Sequence, residues 1–115
     1  MRKVVYSDIA REKLKNLYFS LCDEYGKKVA DKHMKTIFAK ISNLGAFPEM
    51  GIDISELYTL ETDYRYLFID HNYFVYRIES DSIVVVQIYN EREDFMMKLF
   101  GISGRSDEAI EYWGE

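Results

Sequence analysis

Cysteine occurs once in 115 residues, at Cys22, so the chain has no partner for an intramolecular disulfide and its fold cannot rest on oxidative cross-links. A reducing compartment, the cytoplasm, is expected. No stretch approaches the run of about 18 apolar residues needed to span a bilayer, and the charged start Met1-Arg2-Lys3 leads into no apolar segment of signal-peptide length. A soluble protein with no membrane partner follows as an expectation. Glycine is sparse and scattered, at 26, 45, 51, 101, 104 and 114, which excludes a glycine-rich loop cradling phosphates between a strand and a helix. The two histidines, His33 and His71, have no third His, Cys or carboxylate at a ligand spacing, so neither a metal nor another cofactor is expected.

Positive charge is also in short supply. Fifteen basic against twenty acidic side chains give a net charge of −5, which counts against a generic nucleic-acid surface, where a basic field must displace counterions. The deficit is uneven. From Ser103 onward one Arg (Arg105) stands against Asp107, Glu108, Glu111 and Glu115, a local −3, so residues 1–102 carry only −2. A single domain over residues 1–102 with an acidic tail over 103–115 is therefore expected, and a local basic patch on the domain stays open.

What the chain has in plenty is apolar and aromatic surface: 48% hydrophobic residues, with ten Tyr and seven Phe. That is enough to offset the entropy of ordering one domain of this size. Residues 2–6 (Arg-Lys-Val-Val-Tyr) suit a short opening strand, and Ser7 or Asp8 offers a helix N-cap. The recurrence of Ile9, Leu14, Leu17, Leu21 and Tyr25 predicts one helix with a single apolar stripe, and Gly26 ends or bends it. Ala30, Met34, Ile37, Ile41 and Leu44, at spacings of 4, 3, 4 and 3, predict a second, stopped by Gly45 and Pro48.

Beyond residue 50 the period changes to that of strands. Four are expected, over 56–61, 64–69, 73–78 and 82–89, joined by short breaks rich in turn formers, so that neighbours pair as antiparallel hairpins. Phe95, Met96, Leu99 and Phe100 predict a short closing helix within 91–101. The fold class is α+β: a short N-terminal strand, an antiparallel helical hairpin packed on one face of a mainly antiparallel β-sheet meander, and a short C-terminal helix.

If the turns are His71-Asn72 and Ser80-Asp81, Arg65 and Arg77 lie on opposite faces of the sheet, and Arg65 shares its face with Gln87 and Tyr89. Each of these residues also has a quiet role open to it. Arg65 and Arg77 can pair with Asp63, Glu79 or Asp81 at strand ends, Arg92 and Asp94 can tie and cap the last helix, and the tyrosines can be half-buried sheet residues. Cys22, between Leu21 and Asp23-Glu24 with no adjacent base, suits a packing position on the helix better than a nucleophile.

The stretch from Tyr64 to Asp94 carries an Arg opening one strand (Arg65), a Val-Tyr-Arg-Ile strand (75–78), an acidic turn, a Val/Ile-rich strand, and an Arg-x-Asp step, Arg92-Glu93-Asp94. In order and content it resembles the RelE/ParE toxin superfamily of type II toxin–antitoxin systems, and the likeness runs over residues 3–101. The resemblance implies a toxin that a protein antitoxin neutralises. It is closer to the ParE-like branch, whose members are associated with DNA gyrase. Tyr73 stands where RelE-like ribonucleases carry an Arg, and Asn90 stands where the ParE-like pattern has His. The resemblance and the expected register together give the candidate binding residues Arg65, Tyr73, Arg77, Gln87, Tyr89, Asn90, Arg92 and Asp94.

A RelE-like ribosome-dependent mRNA endoribonuclease is the alternative, with Arg65, Arg92 and Lys98 as the surviving catalytic cations. Cleavage by a 2′-hydroxyl needs a base, an acid and a cation, and arginine supplies only the last at neutral pH. Tyr73, Tyr76 or Tyr89 would need a strongly lowered pKa to serve as the base. A binding module that keeps the fold without toxicity is the third reading.

Overall fold

The computed structural model describes residues 1–58 and 60–101. Its sequence of elements is β1 (Lys3–Tyr6), α1 (Asp8–Tyr25), α2 (Lys27–Ser42), β2 (Ile52–Asp53), α3 (Ile54–Tyr58), β3 (Tyr64–Ile69), β4 (Asn72–Ile78), β5 (Ser82–Asn90) and α4 (Phe95–Phe100). The expected α+β class is observed. Residues 103–115, expected as an acidic tail, lie outside the described residues.

Ser7 starts α1 as expected, and it does two things at once. Its Oγ accepts the Ala10 N–H at 3.0 Å and donates to the Val86 carbonyl at 2.9 Å, so the cap also ties the helix to β5. The buried stripe differs from the expected one. Ala10 and Leu14 are buried, with Leu17 and Leu21 packed beside them, while Ile9 and Tyr25 are each 54% exposed. The face runs through Ala10 because positions 10, 14, 17 and 21 follow the helical period, and residue 9 lies about 100° away from it. Gly26, at φ 89°, donates to Cys22 O and accepts from Ala30 N, and so joins the two helices of the hairpin.

All five residues expected on the α2 face are buried. The helix itself stops at Ser42, and Leu44 enters the core from a 3-10 turn over Asn43–Gly45. Gly45 is required by a close approach: its carbonyl accepts Arg2 N–H at 3.0 Å, and a Cβ there would sit 2.4 Å from Arg2 O. Pro48 does not stop α2 but opens a separate 3-10 turn, Pro48–Met50.

The strand expected over 56–61 is absent. A two-residue strand, β2, lies upstream of it, and α3 occupies Ile54–Tyr58. The cause is local. Asp53 Oδ1 accepts from both the Ser55 N–H at 2.9 Å and the Ser55 hydroxyl at 2.6 Å, a capping arrangement that starts a helix, while Ile54 is fully buried.

The sheet has the order β1-β5-β4-β3-β2. Neighbours among β2 to β5 are antiparallel, and β1 pairs with β5 in parallel, which makes the sheet mixed. Asp70 and His71, at φ 53° and 68°, form the β3–β4 turn. It lies one residue earlier than His71-Asn72, so Arg65 faces Tyr76 and not Ile78. The turn at Ser80-Asp81 matches expectation, with Ile78 facing Ile83.

Each face of the sheet has its own core. On one, α1 and α2 cover Ile69, Phe74, Tyr76, Ile83, Val85 and Ile88. On the other, Phe95 and Met96 of α4, with Ile54, close over Tyr66, Val75 and Tyr89. Burying a side chain the size of Phe74 or Ile37 is worth roughly 1.5–3 kcal/mol. The sheet therefore has no fully wet face to offer along its centre.

Candidate functional site

The register decides which candidate residues meet. Tyr76 faces Val85, but Val75 faces Gln87, so Val86 is an extra residue in β5. This bulge reverses the facing of the strand beyond it. Gln87 and Tyr89 consequently stand on the face of Tyr64, Tyr66, Tyr73 and Arg77, and the expected sharing of a face between Arg65, Gln87 and Tyr89 is overturned. That Arg65 and Arg77 lie on opposite faces is observed.

Arg65 is drawn inward. Its guanidinium donates to Gly51 O at 3.1 Å and lies 3.5 Å from the Asp53 carboxylate, with its side chain only 21% exposed. Asp53 is held below the usual carboxylate range by the Ser55 hydroxyl first, with a smaller contribution from Arg65. Tyr76, on the same face, finishes the fastening: its buried hydroxyl donates to Pro48 O at 2.7 Å and accepts from Gly51 N–H at 2.9 Å. Arg65 and Tyr76 thus pin the segment 48–53 against the sheet edge. Arg77, on the α4 side, donates from Nε to Glu79 at 2.5 Å.

Tyr73 and Tyr89 pack under Phe95, with ring centroids 4.7 and 6.3 Å from it, and Tyr89 is buried. The step into α4 is built by its own polar side chains. Asn90 Oδ1 accepts the Arg92 N–H at 3.0 Å, Asn90 N–H donates to Glu93 at 2.7 Å, and Asp94 caps α4 by accepting the Met97 N–H at 3.1 Å. Lys98 pairs with Glu93 at 2.5 Å. Burial works against ionisation of Glu93, but Lys98 and the Asn90 N–H outweigh it and hold the carboxyl below its ordinary value. Arg92 is exposed, and its guanidinium has no partner among the described residues.

Sequence reasoning missed Lys13. Its ammonium donates to Ile88 O at 2.9 Å and lies 4.2 Å from the Tyr89 ring centre, a cation–π contact, and burial lowers its pKa. It stands beside Leu14 at the border of the apolar stripe, and nothing in the sequence distinguishes it from any other boundary lysine. Lys13 and Arg92 line a groove of about 780 Å³ between α1 and the tip of the β3–β4 hairpin, floored by Leu17, Leu21 and Ile88. At that tip the two histidines are spent on carboxylates: His33 Nδ1–H donates to Asp70, and His71 Nδ1–H donates to Glu91 at 2.5 Å. No group of three or more His, Cys, Asp or Glu side chains among the described residues is placed to hold a metal ion.

The sequence profile of the family described as "ParE toxin of type II toxin-antitoxin system, parDE" matches residues 4–95, most of the chain and every element from β1 to the start of α4. The chain belongs to the ParE toxin family. A solved structure described as a chromosomal ParDE toxin–antitoxin system from P. aeruginosa has the same fold, with a TM-score of 0.65 at 17% identity, over 78% of this chain and 96% of that one. No curated protein sequence matches the chain.

As a member of the ParE family, the chain is the toxin component of a type II toxin–antitoxin system, with an antitoxin protein as its partner. The family match runs through the whole candidate set, from Arg65 to Asp94, and leaves out Lys98. Within that set Arg65, Tyr73 and Tyr89 are built into the scaffold, and Asn90 and Asp94 are exposed but hold the step into α4. Arg77 and Gln87 are half-buried, with Arg77 on Glu79 and Gln87 Oε1 accepting the Ile88 N–H at 3.1 Å, and Arg92 is exposed.

Proposed function

We propose that this ParE-family toxin stops growth by binding its cellular target, DNA gyrase, and not by cutting RNA, and that Arg77, Gln87 and Arg92 are the contact residues. The supporting observation is how the cations of a ribonuclease reading are employed. Arg65 is committed to Gly51 O and Asp53 on one side of the sheet, Lys98 to Glu93 at the other, and Arg92 remains alone. Burial pushes the Tyr76 and Tyr89 phenols above their ordinary value, the opposite of what a neutral-pH base needs. No helix among the described residues is long and apolar enough to cross a membrane, and the proposed action is cytoplasmic.

The test has two arms. Purified toxin added to gyrase should block supercoiling of relaxed plasmid at stoichiometric amounts, and Arg77→Ala with Arg92→Ala should lose the effect while keeping the melting temperature. Undiminished supercoiling would overturn the gyrase assignment. Induction in cells without antitoxin, followed by mapping of transcript ends, reads the other arm: new cuts phased to ribosomes would replace inhibition by binding with ribonuclease action.

A further inference from the structure

The face that carries α4 is covered only in part. Register places Tyr64, Arg77, Val84 and Val5 in one row across β3, β4, β5 and β1 on that face. The contacts of α4 fall on the neighbouring rows, through Tyr66, Val75, Tyr73 and Tyr89, and reach this row only at Tyr64, whose ring centre is 6.0 Å from that of Phe100. Val5 and Val84 are half-buried and belong to neither core among the described residues. Beside them, two residues along β1 and so on the same face, stands Lys3. Lys3 is exposed, and its ammonium has no partner among the described residues. Arg77 engages Glu79 through Nε and also interacts with the Tyr64 hydroxyl, which still leaves further N–H groups of its planar fork.

We propose that residues 103–115 of this same chain dock along this row, with apolar side chains on Val84 and Val5 and carboxylates against Lys3 and Arg77. Three facts select this occupant. Position is the first: α4 ends at Phe100 beside Tyr64, so the chain leaves the described fold at one end of the row. Reach is the second. The row crosses three strand spacings, about 14 Å, and the residues after Gly101 extend to about 46 Å at most, so the tail covers the row with length to spare. Chemistry is the third: the segment sets Asp107, Glu108, Glu111 and Glu115 against one Arg105, and places Ile110, Tyr112 and Trp113 among them. A second copy of the chain is disfavoured as occupant by the net charge of −5 on each.

Docking makes the tail a competitor for the surface around Arg77, and therefore a brake on any partner that uses it. The proposal does not depend on which target the toxin has, because its test needs no partner.

Trp113 is the only tryptophan in the chain, so its fluorescence reports the tail alone. In the full-length protein the emission should be blue-shifted, and acrylamide quenching weaker, relative to the urea-unfolded chain. Lys3→Glu combined with Arg77→Glu should reduce the docked-to-free ratio by about tenfold and move both readings toward the unfolded values. Far-UV circular dichroism verifies that the fold is kept. If that variant does not fold, the reciprocal change Glu108→Lys with Glu111→Lys, wholly in the tail, gives the same reading. Emission and quenching equal to the unfolded chain, or unmoved by either charge reversal, would overturn the proposal. So would a blue shift that fades on dilution, which would assign the docked tail to a second copy.

Discussion

Tyr76→Phe removes one oxygen from the interior and should cost far more than its size suggests. The Tyr76 hydroxyl is fully buried, donates to Pro48 O at 2.7 Å and accepts the Gly51 N–H at 2.9 Å. Phenylalanine fills the same space but leaves the Gly51 N–H, on a buried residue, with no acceptor. A buried donor left unsatisfied costs about 1–3 kcal/mol. Taking about 2 kcal/mol, and an unfolding entropy of about 2.1 cal/mol/K per residue over 115 residues, the melting temperature should fall by roughly 8 °C. Urea unfolding followed by circular dichroism gives the energy directly, and a change below about 0.5 kcal/mol would refute the assignment of this hydroxyl as the fastening of segment 48–53. Gly51→Ala supplies a second reading of the same contact. A Cβ there would sit 2.5 Å from the Tyr76 hydroxyl and 2.8 Å from Tyr66 O, so it should destabilise strongly, and less so in the Tyr76→Phe background. Coupling of more than about 0.5 kcal/mol between the two is expected, and strict additivity would count against the geometry.

Ser7→Ala loses a cap and a tie to β5, and should lower stability by about 1–2 kcal/mol in thermal or urea melts. Phe95→Ala empties the centre of the α4 core and should cost about 3–5 kcal/mol, with a matching loss of near-UV signal from the tyrosines it covers. Arg65→Ala should weaken the fold by about 1–2 kcal/mol in the same melts, and growth arrest should recover when expression is cooled; lost toxicity at full stability would instead make Arg65 a direct contact. Glu93 has its folded pKa lowered, so its contribution to stability is present above the ordinary carboxylate value and is lost as pH falls through the lowered one. Acid titration of stability should therefore be less steep in Glu93→Gln than in the unmodified protein, and identical slopes would refute that linkage.

The sequence by itself determined the kinds and the order of most elements, because those depend on short-range periodicity that neighbouring side chains share. The spacing through Ala30 and Leu44 marked α2 and its buried face, Ser7 marked the start of α1, and the order around Arg65 to Asp94 carried the likeness to ParE toxins. Where local chemistry was hidden in side-chain hydrogen bonds, periodicity misled: Asp53 and Ser55 start a helix where aromatic and β-branched residues suggested a strand. Only the tertiary structure decided which candidate residues share a surface. A positive-φ turn at Asp70-His71 and one extra residue at Val86 set the register, and a shift of one residue moves every later side chain to the other face. That is why Arg65, expected from the sequence to share a face with Gln87 and Tyr89, is a fastening on the helix side. Arg77 and Gln87 share the α4 face instead, where they are half-buried, and the exposed Arg92 extends from the adjoining loop.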